Sequence, residues 1–554
     1  GNQTLGICCQ RTEKEAFKAT ARARQFSYEY RFESQEYKDV HEKFFLLGGS
    51  EELERHTQVK LVKEFSDLGS GVIVIQAAEE PPAFVSLVPD EFVPASVIEK
   101  AIERTVREFD CGGLVEGASA ILDFLQRSRP RINGLSPGTA IVDTGRIADK
   151  QDQITQAIRN LDSSCLPIQG PPGAGKTYTA TRAIAELLKT GKKIGIVSNS
   201  HKAINHLLIS TAKYCQQQSV AAKFCCTKET EPTLKELGVS ITKNAQLSDY
   251  VSPGCVIGTT AWGFSRTDME SQLDYLFVDE AGQVSVANFI AVARSARNLV
   301  IMGDQMQLGQ PSQASHPGDS GLSILDYLMR DTPTIPADMG VFLDITWRMH
   351  PAVNRFISEQ IYEGKLESHP DNAGRVIDVP EGEDGILQKD AGIIYVPVEH
   401  EGNTQGSDEE VAVIRELAQS LIGRVFHFNK SDSGRKIGWD DILFVAPYNL
   451  QVNKLKMALG KQARVGSVDK FQGQEAPVVF LSMCASDASE TLRGLDFLFD
   501  RHRINVAISR AQSMAIVVGN PELGRVSVNR VEQLRLVNLF DAVLSEAYER
   551  NSAI

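Results

Sequence analysis

The chain has 554 residues, of which 42% are hydrophobic and 23% are charged, and its formal net charge is −13. No stretch approaches the ~20 apolar residues of a membrane span, and no basic segment followed by an apolar one opens the chain, which disfavours membrane and secreted proteins. Nine scattered cysteines without a Cys-x-x-Cys pair disfavour structural zinc and a disulfide scaffold, so we expect a cytoplasmic protein of about three or four domains.

Accessory elements are predicted for the N-terminal quarter. Residues 1–28 are predicted to form a helical stalk or linker, because basic residues recur through 11–28 at helical spacing; a solvated charged face is favoured over a nucleic-acid contact. Residues 29–95 hold short strand-like segments between glycine-bearing turns, which predicts a small β-barrel accessory domain. Residues 96–139 return to helical periodicity and are predicted to be a helical stalk and linker. Because Gly1 replaces an initiator Met, we expect a longer native chain or a tag remnant.

Two α/β domains are predicted after the linker. In residues 140–335, apolar runs of strand length alternate with helical segments, which is typical of a parallel sheet with crossover helices. These runs lie at 194–197, 256–257, 275–278 and 299–302. Residues 336–554 repeat the pattern, with runs at 393–396, 442–446, 478–482 and 515–518. The predicted fold class is therefore α/β, with two parallel-sheet domains, an N-terminal helical stalk and a small β-barrel.

A complete phosphate-binding loop, GPPGAGKT, occupies residues 170–177 between an apolar run and a helix-forming stretch. Its glycines let backbone N–H groups converge on phosphates, Lys176 would reach the β- and γ-phosphate oxygens, and Thr177 would hold Mg²⁺. The context disfavours the alternative of a simple glycine turn before a helix. We therefore expect the chain to bind ATP and Mg²⁺ through Gly170, Pro171, Pro172, Gly173, Ala174, Gly175, Lys176, Thr177 and Tyr178.

Three polar residues follow two of the predicted strands. Asp279 and Glu280 come directly after the run at 275–278, at the strand end where ligands bind in open α/β sheets. Asp279 would hold Mg²⁺ with Thr177, and Glu280 would polarise the attacking water of an in-line phosphoryl transfer. Taken alone, such an acidic pair is more often a helix cap. Gln307, after the run at 299–302, is predicted to sense the γ-phosphate, with a satisfied turn as the alternative.

The segments at 170–177, 198–205, 279–283, 303–308, 346–351, 468–475 and 503–511 together resemble the motifs of superfamily 1B helicases. The resemblance is to the branch that contains the nonsense-mediated-decay helicase and senataxin. Within that branch, the segments at 366–370 and 495–503 resemble most the helicase half of bacterial proteins that also carry a RecB-like nuclease. It implies two RecA-like domains of the P-loop NTPase fold, with the ATP site between them.

The resemblance also implies roles for individual residues. Arg348 and Arg510 would be arginine fingers of the second domain that neutralise charge in the transition state. Glu475 would bind the ribose, with Gly473 in the same motif, and Trp347 would stack on the base. The best match to the adenine-reading glutamine is Gln153, although the usual preceding Leu-Asn is absent. The implied catalytic set is Lys176, Asp279, Glu280, Gln307, Arg348 and Arg510.

A single-stranded nucleic acid is the expected partner, with DNA favoured over RNA. Short hydroxyl and amide side chains at strand ends can bind phosphates without reading sequence, although each alone suits an ordinary turn. The negative net charge permits a local basic channel. The residues that match strand-contacting motifs are Ser198, Asn199, His201, Thr259, Thr260, Tyr448, Asn449 and Phe471. No membrane partner is expected, and a nuclease domain or partner would lie outside this chain.

We therefore expect an ATP-dependent helicase or translocase on single-stranded nucleic acid, and the resemblance implies 5′-to-3′ movement. The alternative is a nucleic-acid-stimulated ATPase that remodels protein–nucleic-acid complexes without separating strands, as a module of a larger nuclease, defence or repair machine. A nucleotide switch protein is disfavoured because it needs neither the second α/β domain nor the strand-contacting residues.

Overall fold

A computed structural model describes residues 6–20, 23–33, 35, 42–47, 57–90, 94–143, 149–309, 316–330, 332–383, 385–471, 473–486, 494–525 and 531–548. Gln472, within the segment 468–475, lies outside these ranges. In the described ranges, no helix combines the length and the apolar character that crossing a membrane requires.

Six antiparallel strands close into a barrel in the order β1-β2-β5-β4-β3-β6. The strands are β1 (Ile7–Arg11), β2 (Phe26–Arg31), β3 (Lys43–Leu47), β4 (Thr57–Leu61), β5 (Val72–Ala77) and β6 (Phe84–Pro89). The prediction of a helical stalk or linker over 1–28 is wrong, because β1 and the first residues of β2 belong to this barrel. Ile7 and Cys9 alternate with exposed neighbours, as do Tyr28 and Tyr30 less strictly, and this period of two buries them in the barrel core.

Two helices, α1 (Ser96–Asp110) and α2 (Ala120–Leu125), lie in the predicted helical region and pack on the first large sheet domain. α1 buries Ile98 and Ala101 in that core. Its Arg104 donates Nε to Glu270 Oε1 at 2.5 Å, and Glu270 also accepts from Arg294 Nε at 3.2 Å. The helix is therefore fixed to the sheet domain by both apolar packing and charged hydrogen bonds.

The first large sheet is parallel and has the order β10-β9-β11-β8-β12-β13-β7-β14. Its strands are β7 (Cys165–Gln169), β8 (Ile194–Val197), β9 (Lys223–Cys226), β10 (Ser240–Ile241), β11 (Cys255–Thr259), β12 (Leu273–Val278), β13 (Ala296–Gly303) and β14 (Val341–Phe342). Its helices are α3 (Lys150–Arg159), α4 (Lys176–Lys189), α5 (His201–Gln217), α6 (Thr233–Glu236), α7 (Ala261–Phe264), α8 (Val286–Ala293) and α9 (Ile324–Met329). The predicted boundary between residues 335 and 336 falls too early, because β14 pairs with β7.

The second large sheet is also parallel, with the order β17-β23-β22-β20-β21. The remaining strands are β15 (Ile345–Thr346), β16 (Glu367–Ser368), β17 (Gly392–Pro397), β18 (Val425–Phe426), β19 (Arg435–Lys436), β20 (Ile442–Val445), β21 (Arg464–Gly466), β22 (Ala476–Ser482) and β23 (Ala511–Gly519). The helices are α10 (Pro351–Ile361), α11 (Asp408–Leu421), α12 (Asn449–Leu459), α13 (Leu495–Leu498), α14 (Arg501–Ile508) and α15 (Val531–Tyr548). The predicted α/β fold with two parallel RecA-like sheets and a small barrel is confirmed.

The two sheet domains share a core at the carboxyl end of β13. Met306 and Leu308, which follow β13, are buried in a hydrophobic cluster with Phe356 and Tyr362 at α10 and Ile504 of α14. Strand ends of the first domain therefore face the second domain, and Gln307, between Met306 and Leu308, lines the site described next.

Candidate nucleotide site

The loop between β7 and α4 has the backbone shape that its glycines predict. Gly173 and Gly175 have φ values of 72° and 84°, in the left-handed region that glycine adopts without strain. The Gly170 amide donates to Gly303 O at 2.8 Å, which ties the loop to the end of β13. Lys176 Nζ donates to Gly170 O at 2.6 Å. The lysine ammonium thus lies against the loop, ahead of the amino end of α4, where an anion is favoured.

Asp279 and Glu280 lie at the carboxyl end of β12. The Asp279 amide donates to Val197 O at 2.8 Å, and Asp279 Oδ1 accepts from the Glu280 amide at 2.9 Å. Burial, and then the Glu280 charge, raise the pKa of Asp279 to about 7, while the Lys176 charge opposes the shift. Two neighbouring carboxylates in a low-dielectric site favour a bound cation. The oxygens of Thr177 and Asp279 are the hard ligands that Mg²⁺ prefers, so these residues fit the ion.

Gln307 lies between an aspartate of its own domain and an arginine of the other. Its Nε2 donates to Asp304 Oδ2 at 3.0 Å, and its Oε1 accepts from Arg510 Nη2 at 3.4 Å. Arg510 is 2% exposed and also donates Nη1 to Gln474 O at 3.4 Å. Burial, and then the Arg348 charge, lower the pKa of Arg510 to about 9. Its buried Nε has no hydrogen-bond partner among the described residues. An anion in the cavity would supply a compensating negative charge and a hydrogen-bond acceptor for Nε.

Arg348 reaches the same region from the segment between β15 and α10. Its Nε donates to Glu475 Oε2 at 2.5 Å, and its Nη1 donates to Ser509 O at 3.1 Å. Burial raises the pKa of Glu475, but the Arg348 charge and hydrogen bonds from Arg348 and Gln512 outweigh burial and leave that pKa below its ordinary value. The sequence-assigned arginine finger and ribose carboxylate are therefore paired with each other in this structure.

A cavity of about 650 Å³ lies between the two sheet domains. It brings together most of the predicted ATP-site residues from both domains. Those that line it are Pro172, Gly173, Ala174, Gly175, Lys176, Thr177, Asp279, Glu280, Gln307, Arg348, Gly473 and Arg510. This convergence of Lys176, two arginines and a carboxylate pair suits a polyanion bound with a divalent cation.

Six other predicted ATP-site residues are not part of the cavity lining, namely Gln153, Gly170, Pro171, Tyr178, Trp347 and Glu475. Gln153 Oε1 accepts a hydrogen bond from the Asp143 amide at 2.7 Å, so this oxygen already has a partner within its own domain. Tyr178 and Trp347 are 53% and 54% exposed. Trp347 stacks on His369 with ring centroids 4.0 Å apart, and its Cδ1 would lie 3.9 Å from a Cβ placed on Gly175. The indole is therefore an exposed aromatic surface beside the loop.

The eight predicted nucleic-acid contacts have unequal access to solvent. Asn199 is exposed, His201 and Asn449 are half-buried, and the other five are buried. Thr259 Oγ1 donates to Asn244 Oδ1 at 3.0 Å, and the Tyr448 ring packs 5.2 Å from that of Phe497. Ser198 lines the cavity between the domains instead of an outer surface. Few of these side chains are therefore directly accessible to a nucleic-acid strand. The buried ones are Ser198, Thr259, Thr260, Tyr448 and Phe471.

Several residues of the site were not predicted. Lys202 and His206 of α5 and Lys470 line the cavity. Lys202 in the segment 198–205 and Lys470 in the segment 468–475 were the available signal, and His206 lies outside both segments. Arg375 donates Nη1 to Arg348 O, and its guanidinium lies 4.3 Å from the Phe428 ring centroid. No sequence pattern marked Arg375, because its contact with Arg348 depends on the tertiary fold.

Two family models match the chain, and both are described as an AAA domain. One covers residues 146–317 and the other covers residues 321–522, so they divide ahead of β14, the last strand of the first sheet. Among solved structures, the chain is similar to the arterivirus nonstructural protein 10 helicase, with a TM-score of 0.39, 14% identity, and coverage of 90% of this chain and 77% of that chain.

Curated relatives are similar over most of the described chain. The DNA-binding protein SMUBP-2 of Mesocricetus auratus is 25% identical over 489 residues, which cover 76% of this chain and 47% of that protein. The DNA replication ATP-dependent helicase/nuclease DNA2 of Xenopus laevis is 25% identical, over 64% of this chain and 35% of that protein. The RNA helicase Mov10l1 of Homo sapiens is 27% identical, over 66% and 33%. This chain thus spans half or less of the length of each of these relatives.

Proposed function

Because the chain belongs to superfamily 1 of the helicases, in the branch of the nonsense-mediated-decay helicase and senataxin, we propose that it is an ATP-driven helicase or translocase on single-stranded nucleic acid. The observation that carries the proposal is the hydrogen bond between Gln307 of the first domain and Arg510 of the second, in the lining of a cavity that Lys176 and Glu280 also line. Groups suited to phosphoryl transfer are thus supplied by both domains, so hydrolysis can be coupled to their relative position.

ATP would bind with its phosphates along the loop of residues 170–177. Lys176 and the loop amides would hold the β- and γ-phosphates, and Arg510 would face the charge that develops at the γ-phosphate. Mg²⁺, held by Thr177 and Asp279, would neutralise phosphate charge. Glu280 would orient the attacking water and accept its proton, and Gln307 would hold that water or the γ-phosphate.

Movement along a strand would follow from opening and closing of the cavity. Arg348 is paired with Glu475 and lines the cavity. We expect its guanidinium to turn from the carboxylate to phosphate when ATP binds, which would draw the second domain toward the first. Hydrolysis would then release it, and alternate gripping by the two domains would advance the strand.

DNA is the proposed track, with 5′-to-3′ movement. The family resemblance supports the direction, and the replication helicase/nuclease among the relatives supports DNA. The relatives also include a protein named as an RNA helicase, so RNA is the comparison in each experiment. We further propose that the chain works with a nuclease domain or partner.

Strand displacement tests this function. A duplex with a 5′ single-stranded tail should be separated in an ATP-dependent manner, and the same duplex with a 3′ tail should not. Glu280→Gln is the control that should bind both substrates without separating either. Removal of a protein bound to a single strand, without duplex separation, would instead favour the remodelling ATPase. Separation without ATP, or by Glu280→Gln, would contradict the proposal.

A further inference from the structure

Buried hydrogen bonds connect the second sheet domain to an aspartate of the first. Tyr362, which follows α10 and is fully buried, donates its hydroxyl to Asp304 Oδ2 at 2.6 Å. Asn505 of α14 donates Nδ2 to Met306 O at 2.7 Å and to the Tyr362 hydroxyl oxygen at 3.2 Å. Asp304 follows β13 of the first sheet, so this carboxylate is held by a residue of the other domain.

Asp304 in turn orients Gln307. Its Oδ2 accepts from Gln307 Nε2 at 3.0 Å, and Gln307 Oε1 accepts from Arg510 Nη2 at 3.4 Å. A carboxylate accepts and a guanidinium donates, so one of the two amide orientations satisfies both neighbours and the other satisfies neither. Contacts at both ends of the amide therefore depend on the second domain, through Tyr362 at one end and Arg510 at the other.

The charges around Asp304 explain why this arrangement is sensitive to one hydroxyl. Burial raises the pKa of Asp304, and the Lys176 charge and hydrogen bonds from Tyr362 and Gln307 oppose that shift. Burial and the Asp304 charge raise the pKa of Tyr362 well above its ordinary value, so its hydroxyl keeps the proton that it donates. If that donor were removed, a buried carboxylate would depend more strongly on Gln307, and the amide would shift away from Arg510 and the cavity.

We propose that Tyr362 and Asn505 are positioning residues for ATP hydrolysis, which act through Asp304 to hold the Gln307 amide toward the phosphate cavity while the two domains are in contact. Neither residue lines the cavity, so their effect is indirect. Separation of the domains would break the bond between Tyr362 and Asp304 and release Gln307. This role rests on the proposed function, because it presupposes hydrolysis in this cavity.

A double-mutant cycle tests the role, with ATP turnover of Tyr362→Phe, Gln307→Ala and the combined variant measured at saturating single-stranded DNA. Loss of one hydrogen bond should lower the kcat of Tyr362→Phe by about 3–10-fold and change its KM for ATP by less than about twofold. The combined variant should be no slower than Gln307→Ala, because Tyr362 acts through Gln307. If Tyr362→Phe does not fold, Asn505→Ala replaces it in the same cycle.

Tyr395→Phe is the matched control, since Tyr395 is also buried in the second domain and donates its hydroxyl to a carbonyl, Gly519 O, at 2.8 Å. It should keep the wild-type kcat. Losses that multiply in the combined variant, an effect on KM alone, or an equal loss in Tyr395→Phe would overturn the positioning role. A wild-type chain without ATP turnover would overturn both this role and the proposed function.

Discussion

The Arg348 guanidinium donates to the Glu475 carboxylate at 2.5 Å, although the family resemblance assigns one to phosphate and the other to ribose. Arg348 also donates to Ser509 O, so two acceptors fix the plane of its guanidinium. The pairing with Glu475 therefore holds the Arg348 guanidinium at the cavity wall in a defined orientation. Any role in transition-state stabilisation requires the guanidinium to exchange at least part of this pairing for phosphate.

Arg348→Lys should lower the kcat for ATP hydrolysis at least about tenfold, because an ammonium cannot reproduce the two-sided geometry of a guanidinium. Steady-state turnover at saturating ATP measures this loss. Arg525→Lys is the matched control, since Arg525 forms an exposed pair with Glu522 at 2.8 Å. An unchanged kcat in Arg348→Lys would remove Arg348 from the catalytic set.

Arg510→Ala should lose turnover far more than ATP affinity. Arginine fingers contribute about 10³–10⁵ in rate, and the buried Arg510 guanidinium faces the cavity beside Gln307. Titration with a fluorescent ATP analogue, alongside turnover, separates the two quantities. A variant that binds ATP poorly but turns over normally at saturation would contradict a transition-state role for Arg510.

Gly173→Ala should disturb the site beyond the cost of its backbone conformation. An added Cβ would lie 2.5 Å from Arg348 Cβ and 2.7 Å from Thr346 Oγ1. We expect at least a tenfold loss of kcat, on the order of that for Arg348→Lys. Gly191→Ala is the control, because Gly191 has the same φ of 72° but its nearest neighbour would be 3.8 Å away.

Both glycine variants should lose about 1–2 kcal/mol of stability from left-handed strain, which thermal unfolding measures. Only Gly173→Ala should lose turnover as well. Equal kcat values in the two variants would show that Gly173 does not set the position of Arg348.

Glu270→Gln should loosen the attachment of α1 in a pH-dependent manner. Burial raises the pKa of Glu270, but hydrogen bonds and charges of Arg294 and Arg104 outweigh it and leave that pKa below its ordinary value. A carboxyl whose pKa is lower in the folded state stabilises the fold above its unfolded pKa, and this contribution disappears as pH falls through the folded pKa. The Tm of Glu270→Gln should therefore lie below that of wild type at pH 7, and the difference should shrink below about pH 4.

Glu103→Gln serves as the control for that measurement. Glu103 forms an exposed pair with Arg107 on the same helix, at 2.7 Å, and exposed pairs contribute about 0–1 kcal/mol. The Tm of Glu103→Gln should equal that of wild type at pH 7 and at pH 3. A Tm deficit of Glu270→Gln that is equal at pH 7 and pH 3 would contradict the electrostatic account.

Local patterns predicted the elements that carry the proposed phosphate site. The apolar run at 194–197 coincides with β8, and the runs at 275–278 and 299–302 lie within β12 and β13, because strands buried on both faces are continuously apolar. The glycine-rich loop lies between β7 and α4 as its sequence indicates. In each case, short-range chemistry indicates the element, whereas its neighbours in the sheet depend on long-range pairing.

The N-terminal region was misread because its basic residues have a spacing that suits a helix. The buried residues of β1 and β2 alternate over only a few positions, so the strand signal is short. Long-range contacts between side chains gave no recognisable pattern in the sequence. Tyr362 meets Asp304 across 58 residues and Asn505 across 143, and a single sequence does not reveal which distant polar groups become neighbours.

Burial of the predicted nucleic-acid contacts also depends on tertiary packing. Phe471 suits base stacking by residue type, yet it is 3% exposed and lies in the shared core of the second domain. Asn199, just after β8, remains exposed. Residue type and motif position therefore identify candidate nucleic-acid contacts. Whether such a side chain can reach a nucleic-acid strand depends on the residues that pack on it.

ATP hydrolysis by wild type and Glu280→Gln, with no nucleic acid, with single-stranded DNA and with single-stranded RNA of the same sequence, tests the central claim most directly. The account predicts that DNA stimulates turnover by wild type more than RNA does, and that Glu280→Gln binds ATP but loses turnover under all three conditions. Turnover that neither polymer stimulates, or that survives in Glu280→Gln, would contradict a nucleic-acid-coupled motor built on this site.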